Sequence, residues 1–163
     1  MELITIAGIL ILDQITKAVI QFYMVPYQSI RVIEGFFNIT YVLNKGAAFG
    51  IMSQTNSSLR TPFFIVITLS AIGMLSYLMA TTDKKETTLR TAYSMIIAGA
   101  AGNFIDRIFL GEVRDFLDVY WKSYHWPAFN VADSAICIGT GFLIMALYFV
   151  KDSDNKEGSD NIT

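Results

Sequence analysis

Several acids and amides interrupt an otherwise apolar chain, and their spacing is suited to chemistry. Asn103, Asp106 and Arg107 stand at i, i+3 and i+4, which places all three on one helical face. Asn130 and Asp133 are three apart, where the last apolar run begins, and Asp115 and Asp118 lie between the two groups. Two carboxylates held close together cannot both ionise, so they share a proton. The ionised member can take a proton from water while the protonated member polarises a carbonyl, as aspartic proteases do. Other chemistries have fewer parts available. One histidine, His125, and one cysteine, Cys137, make a zinc site or a cysteine cluster unlike this chain. Serine–lysine catalysis needs a neutral lysine beside a serine; Lys45 has no serine close in sequence, and Ser53 is a weak candidate.

Each polar residue also has a plain structural use. Asp106 and Arg107 can pair at a helix end. Asn130 is a favoured N-cap type, and Asp133 would sit in a first helical turn, where the dipole favours it. Asp118 reads as a solvated loop acid. These uses explain any one residue, but they explain poorly why three acids and two amides converge at one end of two adjacent helices.

The elements that must position these groups are apolar helices. The 163 residues are 53% apolar and 16% charged, with a net charge of −2. Mean hydropathy is +0.47. Soluble domains carry about 25% charged residues, so the composition indicates a small integral membrane protein. No basic stripe exists to neutralise phosphates, and nucleic acid is not an expected partner. A spanning helix needs about 20 mostly apolar residues, and the chain offers four: residues 3–22, 61–82, 89–110 and 133–150. In the first, Asp13 and Lys17 lie four apart, where they can pair on an inward face. That run lacks a basic start and an A-x-A site, so it is expected to be retained rather than cleaved.

Four spans form one membrane domain, 1–150, with both termini on one side. Lys84, Lys85, Lys151 and Lys156 concentrate basic charge in the short second connection and the tail, which assigns both to the cytoplasm. The first and third connections then share the outer face. The insertion 23–60 carries two β-prone segments, 29–33 and 36–43, separated by a Glu34–Gly35 turn, and predicts a small sheet. The third connection holds Tyr120, Trp121, Tyr124 and Trp126, a composition suited to the membrane–water interface. The polar tail, 151–163, reads as disordered.

Five segments, in order, resemble lipoprotein signal peptidase, the bacterial type II signal peptidase of peptidase family A8. They are Asp13-Gln14-Ile15-Thr16-Lys17, Asn44-Lys45-Gly46-Ala47-Ala48-Phe49, Gly102-Asn103-Phe104-Ile105-Asp106-Arg107, Val113-Arg114-Asp115-Phe116 and Phe129-Asn130-Val131-Ala132-Asp133-Ser134. The resemblance implies four transmembrane helices with an extracytoplasmic β-cradle and a short interfacial helix. It implies an aspartyl endopeptidase of the bacterial cytoplasmic membrane that cuts diacylglyceryl-modified prolipoproteins just before the lipidated cysteine. It further implies inhibition by globomycin-type peptides and no cofactor or metal. The family's catalytic aspartates match Asp115 and Asp133. Asn103, Arg107 and Asn130 are expected to bind substrate backbone or orient the acids. Asn44, with Gly46 in a run of small residues, is expected to let the insertion approach the substrate. Asp13, Lys17 and Asp106 are expected to support the fold, Asp106 by holding Arg107 or the helix ends. Membrane lipid is the other expected partner, and one chain is enough to build the site.

Two other classes use similar residues. A small transporter or proton channel also carries intramembrane acids, although no inverted repeat is present. A membrane chaperone would tolerate Asp→Asn changes that an enzyme could not.

Overall fold

The computed structural model describes residues 1–46 and 57–160, without side-chain detail at 57–58 and 149–160. Ala47, Ala48, Phe49 and Ser53 lie outside the described residues. The elements, in order, are α1 (Glu2–Tyr23), β1 (Ser29–Ile33), β2 (Phe37–Asn44), α2 (Ser57–Thr81), α3 (Thr87–Leu110), β3 (Val113–Trp121), β4 (Tyr124–His125) and α4 (Val131–Asp160).

The helices are apolar outside and polar within. On α1, Leu3, Ile4, Ile11, Leu12, Ile15, Val19 and Phe22 are exposed, whereas Asp13 and Lys17 are fully buried. That inversion suits a helix bathed in lipid, where ionisable groups turn to the protein interior. Among the described residues, three helical segments are long and apolar enough to cross a membrane: Glu2–Tyr23, Leu59–Thr81 and Val131–Tyr148. The remaining helix, α3, is central and packs against α1, α2 and α4. Its neighbours cover it, so it can carry Ser94, Asn103 and Asp106 as buried residues. At one end it joins an apolar core of Leu75, Leu89, Tyr93 and Ile97. At the other end, small residues let the helices close. A Cβ on Gly102 would come within 2.5 Å of the Asp13 carboxylate, and one on Gly99 would strike the Ala132 carbonyl. Such glycines are the usual device for close helix approach in membranes.

The sheet is antiparallel, in the order β1-β2-β3-β4. Gly35, at φ +76°, makes the β1–β2 turn, at the Glu34–Gly35 position expected. The sheet is larger than the sequence reading anticipates, because β3 and β4 come from the third connection. Val113–Trp121 pairs along β2 from Phe37↔Val119 to Asn44↔Val113, with an irregularity between Ile39 and Val42. Among the described residues, no short helix accompanies the sheet. The aromatic residues of the expected interfacial segment end β3, enter β4 at Tyr124 and follow it at Trp126, with Trp121, Tyr124 and Trp126 exposed. Their rings and β-branched neighbours serve strand pairing equally well. The tail also departs from expectation: α4 runs past its apolar part to Asp160. Each residue added to an existing helix gains a hydrogen bond without a new nucleation cost.

Candidate active site

The chain reverses sharply after α3. Gly111, at φ +74°, caps the helix, and its N–H donates to the Arg107 carbonyl. Positive φ is available to glycine at little cost, so β3 can begin two residues later and carry Asp115 back beside α3. Asp115 is buried. Leu117 and Phe129 form a bridge whose N–H groups donate to each other's carbonyls, at 2.8 and 3.1 Å. This brings Asn130 against Asp115.

Asn130 and Asp133 form a reciprocal cap at the start of α4. The Asp133 N–H donates to Asn130 Oδ1 at 2.9 Å, and the Asn130 N–H donates to Asp133 Oδ2 at 3.2 Å. The arrangement follows the capping-box logic, so the plain structural roles and a place in the site coexist. Asn130 Nδ2 then donates to Asp115 Oδ1 at 2.7 Å and to Asn103 Oδ1 at 3.1 Å. Asn103 Nδ2 donates to Asp133 Oδ1 at 2.7 Å. Asn44 Nδ2 donates to Asp115 Oδ2 at 2.9 Å, while its Oδ1 accepts from the Gly46 N–H at 3.0 Å. Two asparagines therefore tie the acids of β3 and α4 together, and a third reaches one of them from β2. Burial, with the Asp133 charge nearby, raises the pKa of Asp115 to about 7, against the pull of the Asn44 and Asn130 donors.

Asn44, Gly46, Asn103, Arg107, Asp115 and Asp133 all line a cavity of about 570 Å³. Ser134, Cys137 and Ile138 carry its wall onward along α4 from Asp133, and Trp126 to Phe129 form another side. Arg107 stacks over Phe64, 4.8 Å from the ring centre, and points Nη2 to the Gly46 carbonyl at 3.5 Å. Asn130 is fully buried rather than exposed to the cavity. Lys45 is exposed and does not line the cavity. Among the described residues, no three His, Cys, Asp or Glu groups are placed to hold a metal ion.

Behind the cavity lies a charged core. Lys17 Nζ meets Asp13 Oδ2 at 2.9 Å, Asn103 Oδ1 at 3.0 Å and Asp106 Oδ2 at 3.5 Å. Asp13 Oδ1 accepts from the Ala132 N–H at 2.9 Å and so caps α4 from another helix. Of the two roles expected of Asp106, holding Arg107 or the helix ends, the contacts are of the second kind, and Arg107 is not its partner. Its carboxylate is bidentate with Arg114, from Nη2 to Oδ1 at 2.7 Å and from Nε to Oδ2 at 3.2 Å. Arg107 follows Asp106 directly and so leaves the helix in another direction, whereas β3 returns Arg114 onto it. Gln21 and Gln14 accept the other Arg114 hydrogens at 2.8 and 3.2 Å. Arg114, Gln14 and Gln21 are the residues that sequence reasoning missed. The first two lie inside the segments that carry the resemblance.

Asp118 is a second correction. It is buried on β3, not solvated in a loop. Asn38 Nδ2 and Thr40 Oγ1 donate to its Oδ2 at 3.1 and 3.0 Å, and His125 Nδ1 lies 2.8 Å from its Oδ1. It does not line the cavity with Asp115 and Asp133.

By fold, the chain resembles bacterial membrane enzymes. It superposes on one solved in meso at 2.3 Å with a TM-score of 0.84 and 39% identity, over 95% of this chain and 90% of the other. A second, solved at 1.9 Å, gives a TM-score of 0.79 and 34% identity over 90% and 91% of the two chains. Residues 5–149 match the family described as signal peptidase (SPase) II. The lipoprotein signal peptidase of Geobacter sulfurreducens is 51% identical over 138 residues, 85% of each chain. That of Haemophilus influenzae is 42% identical over 150 residues, 92% of this chain and 85% of its own. The chain belongs to the signal peptidase II family, peptidase family A8, and is a membrane protease.

Proposed function

We propose that the protein removes signal peptides from diacylglyceryl-modified prolipoproteins, cutting before the lipidated cysteine, with Asp115 and Asp133 as its catalytic acids. The observation that carries this reading is the placement of both carboxylates on one cavity, tied together through Asn103 and Asn130. With Asp115 pushed to about 7 by burial and by the Asp133 charge, the pair holds one proton between its members near neutrality.

The ionised member takes a proton from a water placed between them. That water attacks the scissile carbonyl carbon, and the protonated member gives its proton to the carbonyl oxygen. The resulting gem-diol collapses as the C–N bond breaks. The leaving nitrogen takes up a proton from the acid that had received the water's proton, a diol hydroxyl returns one to its partner, and the pair is again singly protonated. Asn44, Asn103 and Asn130 hold the acids by their amide hydrogens, and Arg107 and Gly46 bound the substrate's path. Asp13, Lys17, Asp106 and Arg114 brace the backbone behind the site.

In this reading all four helices cross the membrane, with both termini cytoplasmic and the sheet outside. At about 1.5 Å per residue, the 24 residues of α3 reach across a hydrocarbon core of about 30 Å. The substrate's lipid stays in the bilayer while its signal helix brings the cut point to the cavity, which converts a loose encounter into a positioned one. One chain suffices, and globomycin-type peptides would occupy the same cavity.

The test is cleavage of purified diacylglyceryl-prolipoprotein by the wild type and by Asp115→Asn and Asp133→Asn. A mobility shift with the wild type that persists in chelator and vanishes in both variants is expected. Near-normal turnover by either variant would overturn the pair. The transport reading is tested on the same preparations by proton flux in liposomes.

A further inference from the structure

We propose that Lys17 is a positioning residue that dictates which end of the Asn103 amide faces Asp133. This rests on the acid-pair reading above. Lys17 is fully buried and does not line the cavity, so it acts through Asn103 rather than on substrate.

The argument is one of donors and acceptors. An ammonium has three hydrogens to give and nothing that accepts. Its three neighbours here are Asp13 Oδ2, Asn103 Oδ1 and Asp106 Oδ2. The Asn103 atom that meets Lys17 must therefore be oxygen. Asn130 Nδ2 donates to the same oxygen, and the Asn130 amide is itself fixed because its Oδ1 accepts the Asp133 N–H. With its oxygen held from two sides, Asn103 has only its NH2 to offer Asp133, at 2.7 Å. A reversed amide would set hydrogens against hydrogens at Lys17 and oxygen against oxygen at Asp133. The second clash is relieved only when Asp133 carries a proton there.

Lys17 thus makes Asn103 a donor, and a donor favours a charged carboxylate. The charged groups around the pair are Asp13 and Lys17 of α1, Asp106 and Arg107 of α3, Arg114 and Asp115 of β3, and Asp133 of α4. A lysine acting by its charge alone would balance Asp13 and Asp106 and favour the ionised form of the nearby Asp115. Asn103 adds a consequence that charge balance alone does not require.

The experiment compares pH profiles of kcat for prolipoprotein cleavage. Lys17→Met combined with Asp13→Asn removes one charge of each sign, leaving Asp106 with Arg114. The expected result is that kcat falls about tenfold with KM little changed. The acidic limb of the profile should move up by about one pH unit, because an Asn103 amide held by Asn130 alone donates less firmly to the Asp133 carboxylate. Asn103→Ala should move the limb in the same direction, and adding it to the double variant should move it no further. Lys17→Arg, which keeps a donor-only group, should leave the limb at its wild-type position even if turnover drops; it carries the test should the double variant fail to fold. An unmoved limb in the Met/Asn variant, additive shifts with Asn103→Ala, or a Lys17→Arg limb displaced as far as that of Asn103→Ala would each overturn the inference. Failure of the wild type to cleave, or cleavage after Asp133→Asn, would instead overturn the acid pair itself.

Discussion

Asp115 and Asp118 lie three residues apart on β3, and the fold gives them opposite characters. Both are buried against β2. Asp115 shares a cavity with another carboxylate, and burial with that neighbour raises its pKa to about 7. Burial also pushes Asp118 upward, but hydrogen bonds from His125, Asn38 and Thr40 outweigh it, and its pKa ends below the usual carboxylate range. The strand that supplies both is one element, so the difference comes from what each side chain meets. A carboxylate becomes able to hold a proton where a like charge shares its space. It becomes a fixed anion where neutral donors and a histidine surround it.

The largest expected contrast is catalytic. Asp115→Asn should lower kcat by about 10²–10⁴-fold, whereas Asp118→Asn should stay within a few-fold of wild type. Complete loss on changing Asp118 would mean that the pair had been assigned wrongly. A second contrast lies in the bracing behind Asp115. Arg114→Met leaves the Asp106 carboxylate buried with only Lys17 at 3.5 Å as a counter-ion. Breaking a buried pair from one side costs about 3–5 kcal/mol, which should appear as a lowered unfolding midpoint in detergent. An unchanged midpoint would show that Lys17 suffices.

Acid–base behaviour sharpens the comparison further. Turnover should fall as pH rises through about 7, where Asp115 loses its proton. Asn44→Ala removes a donor to the Asp115 carboxylate, so that alkaline limb should move to higher pH; a move to lower pH would contradict the geometry. Stability follows the same signs. With its folded pKa raised, ionised Asp115 lowers stability as pH climbs from the ordinary carboxylate range to about 7. Asp115→Asn should therefore gain relative stability over that window and keep it above. The smallest effect belongs to Asp118. Its folded pKa is depressed, so its contribution is present above the ordinary carboxylate range and is lost as pH falls through the folded value. Asp118→Asn should cost about 1 kcal/mol at neutral pH, and the gap from wild type should close in acid.

The sequence makes the helical parts legible because spans announce themselves by local composition, and the Asp13–Lys17 spacing exposes a pair that the fold contains. The first hairpin is legible for the same reason, from Gly35 between two β-prone segments. β3 is not, because its two acids break any alternation and its partner strand lies some 70 to 80 residues earlier, as in Asn44↔Val113 and Phe37↔Val119. Without that strand, Asp118 reads as a solvated loop acid and Arg114 is not visible as the partner of Asp106. Spacing alone leaves several acids open, and only the resemblance singles out Asp115 and Asp133 among them.

The charged core has a consequence for biogenesis. On the four-span reading, α3 enters the bilayer carrying Arg90, Asn103, Asp106 and Arg107. Charged residues of this kind cost about 2.5–3.5 kcal/mol each at the centre of a lone helix, less toward its ends. Its neighbours remove that burden: Glu2 of α1 meets Arg90 at 2.6 Å, and Lys17 of α1 meets Asp106. α3 is thus a client of α1, and the partner that makes its charged groups tolerable in lipid is part of its own chain.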